Sequence, residues 1–292
     1  MQKSGGMSAL NFIKTSVSMN IRLPISWILL LLCATSSMGQ GNGRDMVKDL
    51  LECPRLSKDI QNNIIIVKED PDSIYGINYF IEYNLPKRSQ RFAAFRMYKG
   101  NSGRNLKRTE FWHEETAVDS KYRTTQADYR GSGYSRGHIV ASQDRLVSKA
   151  FNEQTFCYSN IMPQLSKFNG GIWLKMENKL TSWNRDNFRD TLYVVKGGTI
   201  DNPSQIKEFT KTGLVVPKYF FMAILCLKDG QYKAMGFWVE HKEINPNSDL
   251  KLYAKSIYEL EKLTGLDFFP NLPNSIERKI EKSLRLNEWG IK

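Results

Sequence analysis

Two long apolar runs with a sharp turn between them constrain this chain more than any other feature. "YFFMAILCLK" and "YKAMGFWVEH" both have strand character, and "DGQ" between them folds the chain back on itself. "TLYVVKGGTI" precedes them as another strand, and "NNIIIVKE", "INYFIEYNL", "RFAAFRMY" and "TFCYSNIMP" read the same way. From Gly171 the period changes: Trp173, Met176, Leu180 and Trp183 fall three, four and three residues apart, one face of an amphipathic helix. "YAKSIYELEKLTG" reads as a second helix, with Ile257, Leu260 and Leu263 inward and Gly265 as its stop. No internal repeat or low-complexity tract interrupts this order. The expected fold is α+β, a central and mostly antiparallel β-sheet with flanking helices. Residues 99–132 have no sustained apolar period and many turn formers, so they read as a long functional loop region.

The first 39 residues have a different character. "MNIRLPISWILLLLCATSSMGQ" has a basic start, an apolar core from Ile25 to Leu32 and a small-residue exit, the layout of a secretory signal peptide. Ser37 and Gly39 stand at −3 and −1 for cleavage before Gln40. Translation from Met19 gives a tidier signal, so residues 1–18 read as a mis-assigned start. The expectation is an exported chain, periplasmic or secreted. Lipid anchoring through Cys33 ranks lower because bulky Leu32 precedes it, and a retained membrane anchor ranks third. No other stretch is apolar for long enough to span a bilayer. The layout is then a signal over 1–39, a lead-in over 40–75 and the main domain over 76–292.

With 42 Lys and Arg against 30 Asp and Glu, the net charge is +12. Lys3, Lys14 and Arg22 are the only charged residues before position 40, so a mature chain keeps +9. Such an excess favours polyanions: nucleic acid, anionic lipid or acidic polysaccharide. Cys53, Cys157 and Cys226 are an odd set after cleavage. Cys157 and Cys226 read as small buried hydrophobes, one bridge is conceivable, and no paired-Cys spacing suggests a thiolate metal site.

Chemistry concentrates in two stretches. In "GYSRGHIVASQDR", His138 follows Arg136 and Gly137; a glycine there permits close approach, and a neutral imidazole can take a proton from water. The other two histidines, His113 and His241, lie in a charged loop and at a strand end, and read as structural. In "SNIMPQLSKFNGGIWLKMENK", Asn160, Asn169 and Glu177 fall in a short span. Glu177 lies eight residues after Asn169, so both can share a helix face, and their hard oxygens suit Mg²⁺, which keeps most of its waters.

Taken in order, "SRGH", "SNIMPQ", "FNGGIW" and "KMENK" resemble the DNA/RNA non-specific endonuclease family, with its D-R-G-H, N-x-x-P-Q and N-x-x-x-W-x-x-x-E motifs. "SGRNLKR" resembles the family's R-N-W segment, and "ELEKLTGLDFFPNLP" its closing segment. The likeness runs from about residue 77 to 273. It implies a ββα-metal site in a nuclease that hydrolyses DNA and RNA with Mg²⁺, Mn²⁺ or another divalent cation. By this resemblance His138 is the general base, and Arg104 and Arg136 clamp the scissile phosphate. Asn169 is the direct metal ligand, with Glu177 and Asn160 acting through water or behind it. Relatives are often dimers, so a homodimer is among the implied states.

The pattern departs from the family in three places. Ser135 stands where D-R-G-H has its aspartate, Leu106 replaces the tryptophan of R-N-W, and "HIVASQDR" replaces H-x-x-P-S-x-D-R. Ser135 removes one acceptor and one negative charge, and so modulates metal affinity or rate. S-R-G-H also resembles a branch that works as exonucleases. Two alternatives therefore stay open: a weakened relative that binds nucleic acid without cutting, and exonuclease rather than endonuclease action. A basic adhesin for acidic glycans explains the charge but not the ordered motifs.

Overall fold

The computed structural model describes residues 39–59, 61–68 and 76–291, with side chains from Gly43 onward. The signal-peptide and Cys33 readings fall outside the described residues. The strands are β1 (Asn62–Lys68), β2 (Ile77–Asn84), β3 (Ser89–Tyr98), β4 (Ser135–His138), β5 (Ile161–Gln164), β6 (Thr191–Gly198), β7 (Ile206–Phe209), β8 (Val215–Pro217), β9 (Tyr219–Lys228), β10 (Gln231–Glu240) and β11 (Ala254–Lys255). Seven of them form one sheet in the order β1-β2-β3-β6-β9-β10-β11, and every neighbouring pair is antiparallel. β4 pairs with β5, and β7 with β8, as separate ribbons. The turn between β9 and β10 is two residues, Asp229 and Gly230, both at positive φ (48° and 74°), the hairpin geometry whose twist matches the flanking strands.

Helices cover both faces, which is why β9 reads as an unbroken apolar run rather than an alternation. The helices are α1 (Gly39–Val47), α2 (Gln126–Tyr129), α3 (Lys149–Gln154), α4 (Ser166–Phe168), α5 (Leu174–Trp183), α6 (Ile257–Thr264) and α7 (Asn274–Glu281). On one face Phe221, Ala223 and Leu225 pack with Ile257 and Leu260 of α6. Ser256 and Glu259 close a capping box at its start, and Gly265 ends it with φ of 73°. Leu263, expected inward, is only half-buried. On the other face Phe220, Met222, Ile224 and Cys226 meet Trp173, Met176, Leu180 and Trp183, the stripe expected of α5.

The segment before residue 76 is part of this body. β1 is an edge strand of the sheet, and Val47 and Cys53 are buried in the α6-side core. At the other end Trp289 turns back onto Trp183, whose indole N–H donates to the Trp289 carbonyl at 2.8 Å. Cys53, Cys157 and Cys226 are all free and buried. No helix among the described residues is long and apolar enough to cross a membrane.

Candidate active site

β4 carries Ser135, Arg136, Gly137 and His138 antiparallel to the "IMPQ" of β5. Gly137 is dictated by its neighbour: a Cβ there would lie 2.2 Å from Cδ of Gln164, whose side chain crosses the ribbon. Asn160 locks the segment that follows His138. Its Oδ1 accepts from the Val140 N–H at 2.9 Å, and its Nδ2 donates to the carbonyls of Val140 (3.0 Å) and Thr155 (2.8 Å). Asn160 is fully buried and its amide is committed to the backbone, so of the two roles the resemblance implies it has the geometry of the one that acts from behind the site.

His138 packs edge-on against Phe156, with ring centroids 5.0 Å apart, and beside Trp112 at 5.4 Å. Its Nε2 is buried with no hydrogen-bond partner, which leaves Nδ1 as the nitrogen able to meet water. Burial first, and then the charges of Arg108, Lys196 and Arg136, push its pKa down to about 3. The imidazole is therefore neutral at ordinary pH. The Arg136 guanidinium stacks 3.8 Å from the Trp112 ring centroid, and Arg108 lies 5.1 Å from that of Phe156. Both line a cavity of about 510 Å³ shared with Tyr129, Arg130, Tyr134 and Ser135.

Arg104 sits apart from this pair. It is exposed, and its charge acts on the buried carboxyl of Asp144. Asn105 fastens its loop, donating from N–H to Leu146 O (2.9 Å) and from Nδ2 to Val147 O (3.0 Å). Arg108, the last residue of "SGRNLKR", is the arginine this segment brings to the histidine.

Past β5 the chain makes the short helix α4, then a π-turn over Asn169–Trp173 with Gly171 off helical geometry (φ −107°, ψ −109°), and then α5. His241 fixes the start of this run. Its Nε2 accepts from the Leu165 N–H at 2.8 Å, so its Nδ1–H donates to Pro217 O at 2.9 Å. Ser135 reaches across as well, with Oγ 2.7 Å from Oγ of Ser166. Asn169 is half-buried, and its side chain makes no hydrogen bond among the described residues. Glu177 is buried, and its Oε1 accepts from Lys196 Nζ at 2.6 Å. Trp173 Nε1 lies near this carboxylate without making a hydrogen bond. Burial raises the pKa of Glu177, opposed mainly by Lys196. Asp144 is buried beside them, its Oδ1 accepting from Thr181 Oγ at 2.7 Å and its Oδ2 unpartnered.

Asp144, Lys196, Arg108 and Gln164 are thus site residues that motif spacing did not single out. For Lys196 the signal was a charged residue at an inward position of the strand "LYVVKGG". Among the described residues no group of three or more His, Cys, Asp and Glu could hold a metal ion. The donor types present suit a hard, largely hydrated cation: the Asn169 amide, with no side-chain hydrogen bond among the described residues, Glu177 with one bonded oxygen, and the unpartnered Oδ2 of Asp144.

A histidine on a two-stranded ribbon, followed by a helix bearing an amide and a carboxylate, defines a ββα-metal nuclease fold. The chain belongs to the DNA/RNA non-specific endonuclease family, which matches residues 58–275. It is 30% identical over 233 residues to a nuclease of Nostoc sp., covering 73% of this chain and 81% of that one. It is also 30% identical over 218 residues to mouse mitochondrial nuclease EXOG, covering 68% and 57%. Bovine mitochondrial endonuclease G is 30% identical over 170 residues, covering 55% and 56%, so the chain spans just over half of each mitochondrial relative. A solved complex of EndoG with its inhibitor EndoGI shares the fold, with TM-score 0.61 and 19% identity over 68% of this chain and 85% of that one.

Proposed function

We propose that the chain is an exported, Mg²⁺-dependent nuclease that hydrolyses phosphodiester bonds of DNA and RNA with little sequence preference. The observation that carries this reading is His138, a neutral imidazole flanked by arginines that make no hydrogen bond or ion pair among the described residues. Arg136 is held flat by Trp112, so its N–H edge is free to bind a phosphate in bidentate fashion. Arg108 joins it from the Phe156 side. Backbone contacts of this kind give affinity without base readout. The negative charge of a bound phosphate offsets both guanidiniums and raises the basicity of His138 when substrate is present. His138 Nδ1 then accepts the proton of the attacking water. Asn169 would hold the cation directly and Glu177 through an intervening water. When bound, the cation would stabilise the charge developing on the phosphate and on the leaving oxygen. Mn²⁺ or another divalent ion would substitute for Mg²⁺.

Purified protein mixed with circular plasmid, end-labelled linear DNA and RNA, with Mg²⁺ or a chelator, tests the reading. Metal-dependent cleavage of all three is expected. Binding without cleavage would leave a nucleic-acid-binding relative, and cutting confined to linear ends would reassign the enzyme as an exonuclease. Export is checked by the mature N-terminus, expected at Gln40.

A further inference from the structure

Lys196 is a fully buried lysine (0% exposed) in the central strand β6, at the inward position that continues Leu192 and Val194. Apolar side chains occupy the equivalent sites of β9, Phe220, Met222 and Ile224, so nothing in the sheet requires a cation here. Its ammonium lies 2.6 Å from Oε1 of Glu177 and 5.1 Å from the Trp173 ring centroid. Its charge also acts on Asp144 and His138, so one buried group reaches every ionisable side chain of the cluster. We propose that Lys196 is a positioning residue for the hydrolytic site: its ammonium fixes the Glu177 carboxylate by Oε1, keeping Oε2 toward the cation and substrate. The inference rests on the nuclease reading above.

The physical case is one of limited alternatives. Among the described residues Lys196 is the one donor within hydrogen-bond distance of the Glu177 carboxylate, with the Trp173 indole N–H nearby, and an unpartnered buried carboxylate turns toward any donor within reach. A carboxylate that acts through a single water tolerates little misalignment, because displacements near 1 Å cost on the order of 10²-fold in rate. Lys196 has no exposed surface, so it cannot touch nucleic acid; its hydrogen bond goes to Glu177, and on His138 and Asp144 it acts only through charge, which the Mn²⁺-binding readout separates from positioning.

The test starts with wild-type protein and plasmid in Mg²⁺. Loss of metal-dependent cleavage at that stage sinks the nuclease reading itself. With an active wild type, Lys196→Met is expected to lower kcat about 10²-fold while KM for DNA stays within about twofold. Mn²⁺ binding, measured by calorimetry without nucleic acid, is expected to weaken roughly tenfold, in the range seen when groups behind a metal ligand are removed. If Lys196 merely repelled the cation, Mn²⁺ would bind more tightly. Glu177→Ala with Lys196→Met should be no slower than Glu177→Ala alone, the signature of two residues acting as one unit. Tighter or unchanged Mn²⁺ binding, a KM effect, or additive losses would overturn the proposal. Should Lys196→Met fail to fold, Lys196→Gln keeps an N–H for Oε1. It is expected to retain more kcat than Glu177→Ala, and a loss as large as that variant's would count against the idea.

Discussion

Glu82 and Glu177 are both buried carboxylates held by a cation, and they lie on opposite faces of the same sheet. Glu82 is saturated. Its Oε1 accepts from the Ser57 N–H at 2.9 Å and Asn62 Nδ2 at 3.5 Å, and Arg91 donates to its Oε2 at 2.5 Å. Glu177 is bonded at Oε1 alone, amid orphaned atoms on His138, Asp144 and Gln164. The difference separates an ion pair that closes a structure from one that leaves capacity for a ligand. A satisfied buried charge fixes the chain; a half-satisfied one keeps a bond in reserve.

The comparison predicts that substitutions on the two faces divide between rate and stability. The largest effect is expected at the centre of the site. His138→Ala should lower kcat by about 10²–10⁴-fold with DNA binding within a few-fold, and undiminished hydrolysis would remove the proposed base. Next come the two glutamates. Glu177→Gln should cut kcat about 10²-fold, with a stability loss smaller than that of Glu82→Gln, because the amide oxygen can still accept from the single donor Lys196 while Glu82 serves several donors. Glu82→Gln should leave kcat intact and cost roughly 3 kcal/mol of stability, in the range for breaking a buried pair. Equal effects on both quantities would erase the distinction.

The pH dependence comes next in size. His138 and His241 have folded pKa values pushed down to about 3 and about 4, both chiefly by burial. The unfolded chain, near 6.5, takes up these protons first. Their contribution to stability is complete above about pH 6.5 and is lost as the pH falls toward those folded values. Thermal melts between pH 7 and pH 4.5 should show this slope, flatter in His138→Ala. In kinetics, the acid limb of kcat/KM should lie well below pH 6.5, and that of kcat higher, because bound phosphate raises the imidazole's basicity. The smallest effect is expected for Ser135→Asp: a few-fold rise in Mn²⁺ affinity or rate. A fall in both would show that the Ser135–Ser166 contact matters more than the missing carboxylate.

Hydrophobic periodicity was enough to read six strands of the main sheet, the α5 stripe and the β9–β10 hairpin, because burial on both sheet faces writes itself into composition; the short strands β4, β7, β8 and β11 carry no such run and were not read. His138, Arg136, Asn169 and Glu177 were legible as motif residues, and Ser135 as a departure. Other features depended on contacts between distant positions. The Asn160 clamp exists because its amide meets Val140, twenty residues away. Arg108 joins Arg136 near His138 because an irregular loop, without a period to read, sets which of its cations lies over Phe156. Lys196 looked like an ordinary charge among valines until the sheet register put it inside. β1 was seen as a strand but left in a lead-in segment, since its pairing with β2 cannot be read from either run alone.

The packing of Trp289 on Trp183 also sets an order of events. The contact joins positions 106 residues apart and forms one wall of the helix that carries Glu177. An emerging chain can cover Trp183 on its Phe188 and Phe237 sides first, but the side that Trp289 fills stays open until that residue has followed. The helix that carries Glu177 is thus closed off by a residue that arrives long after it.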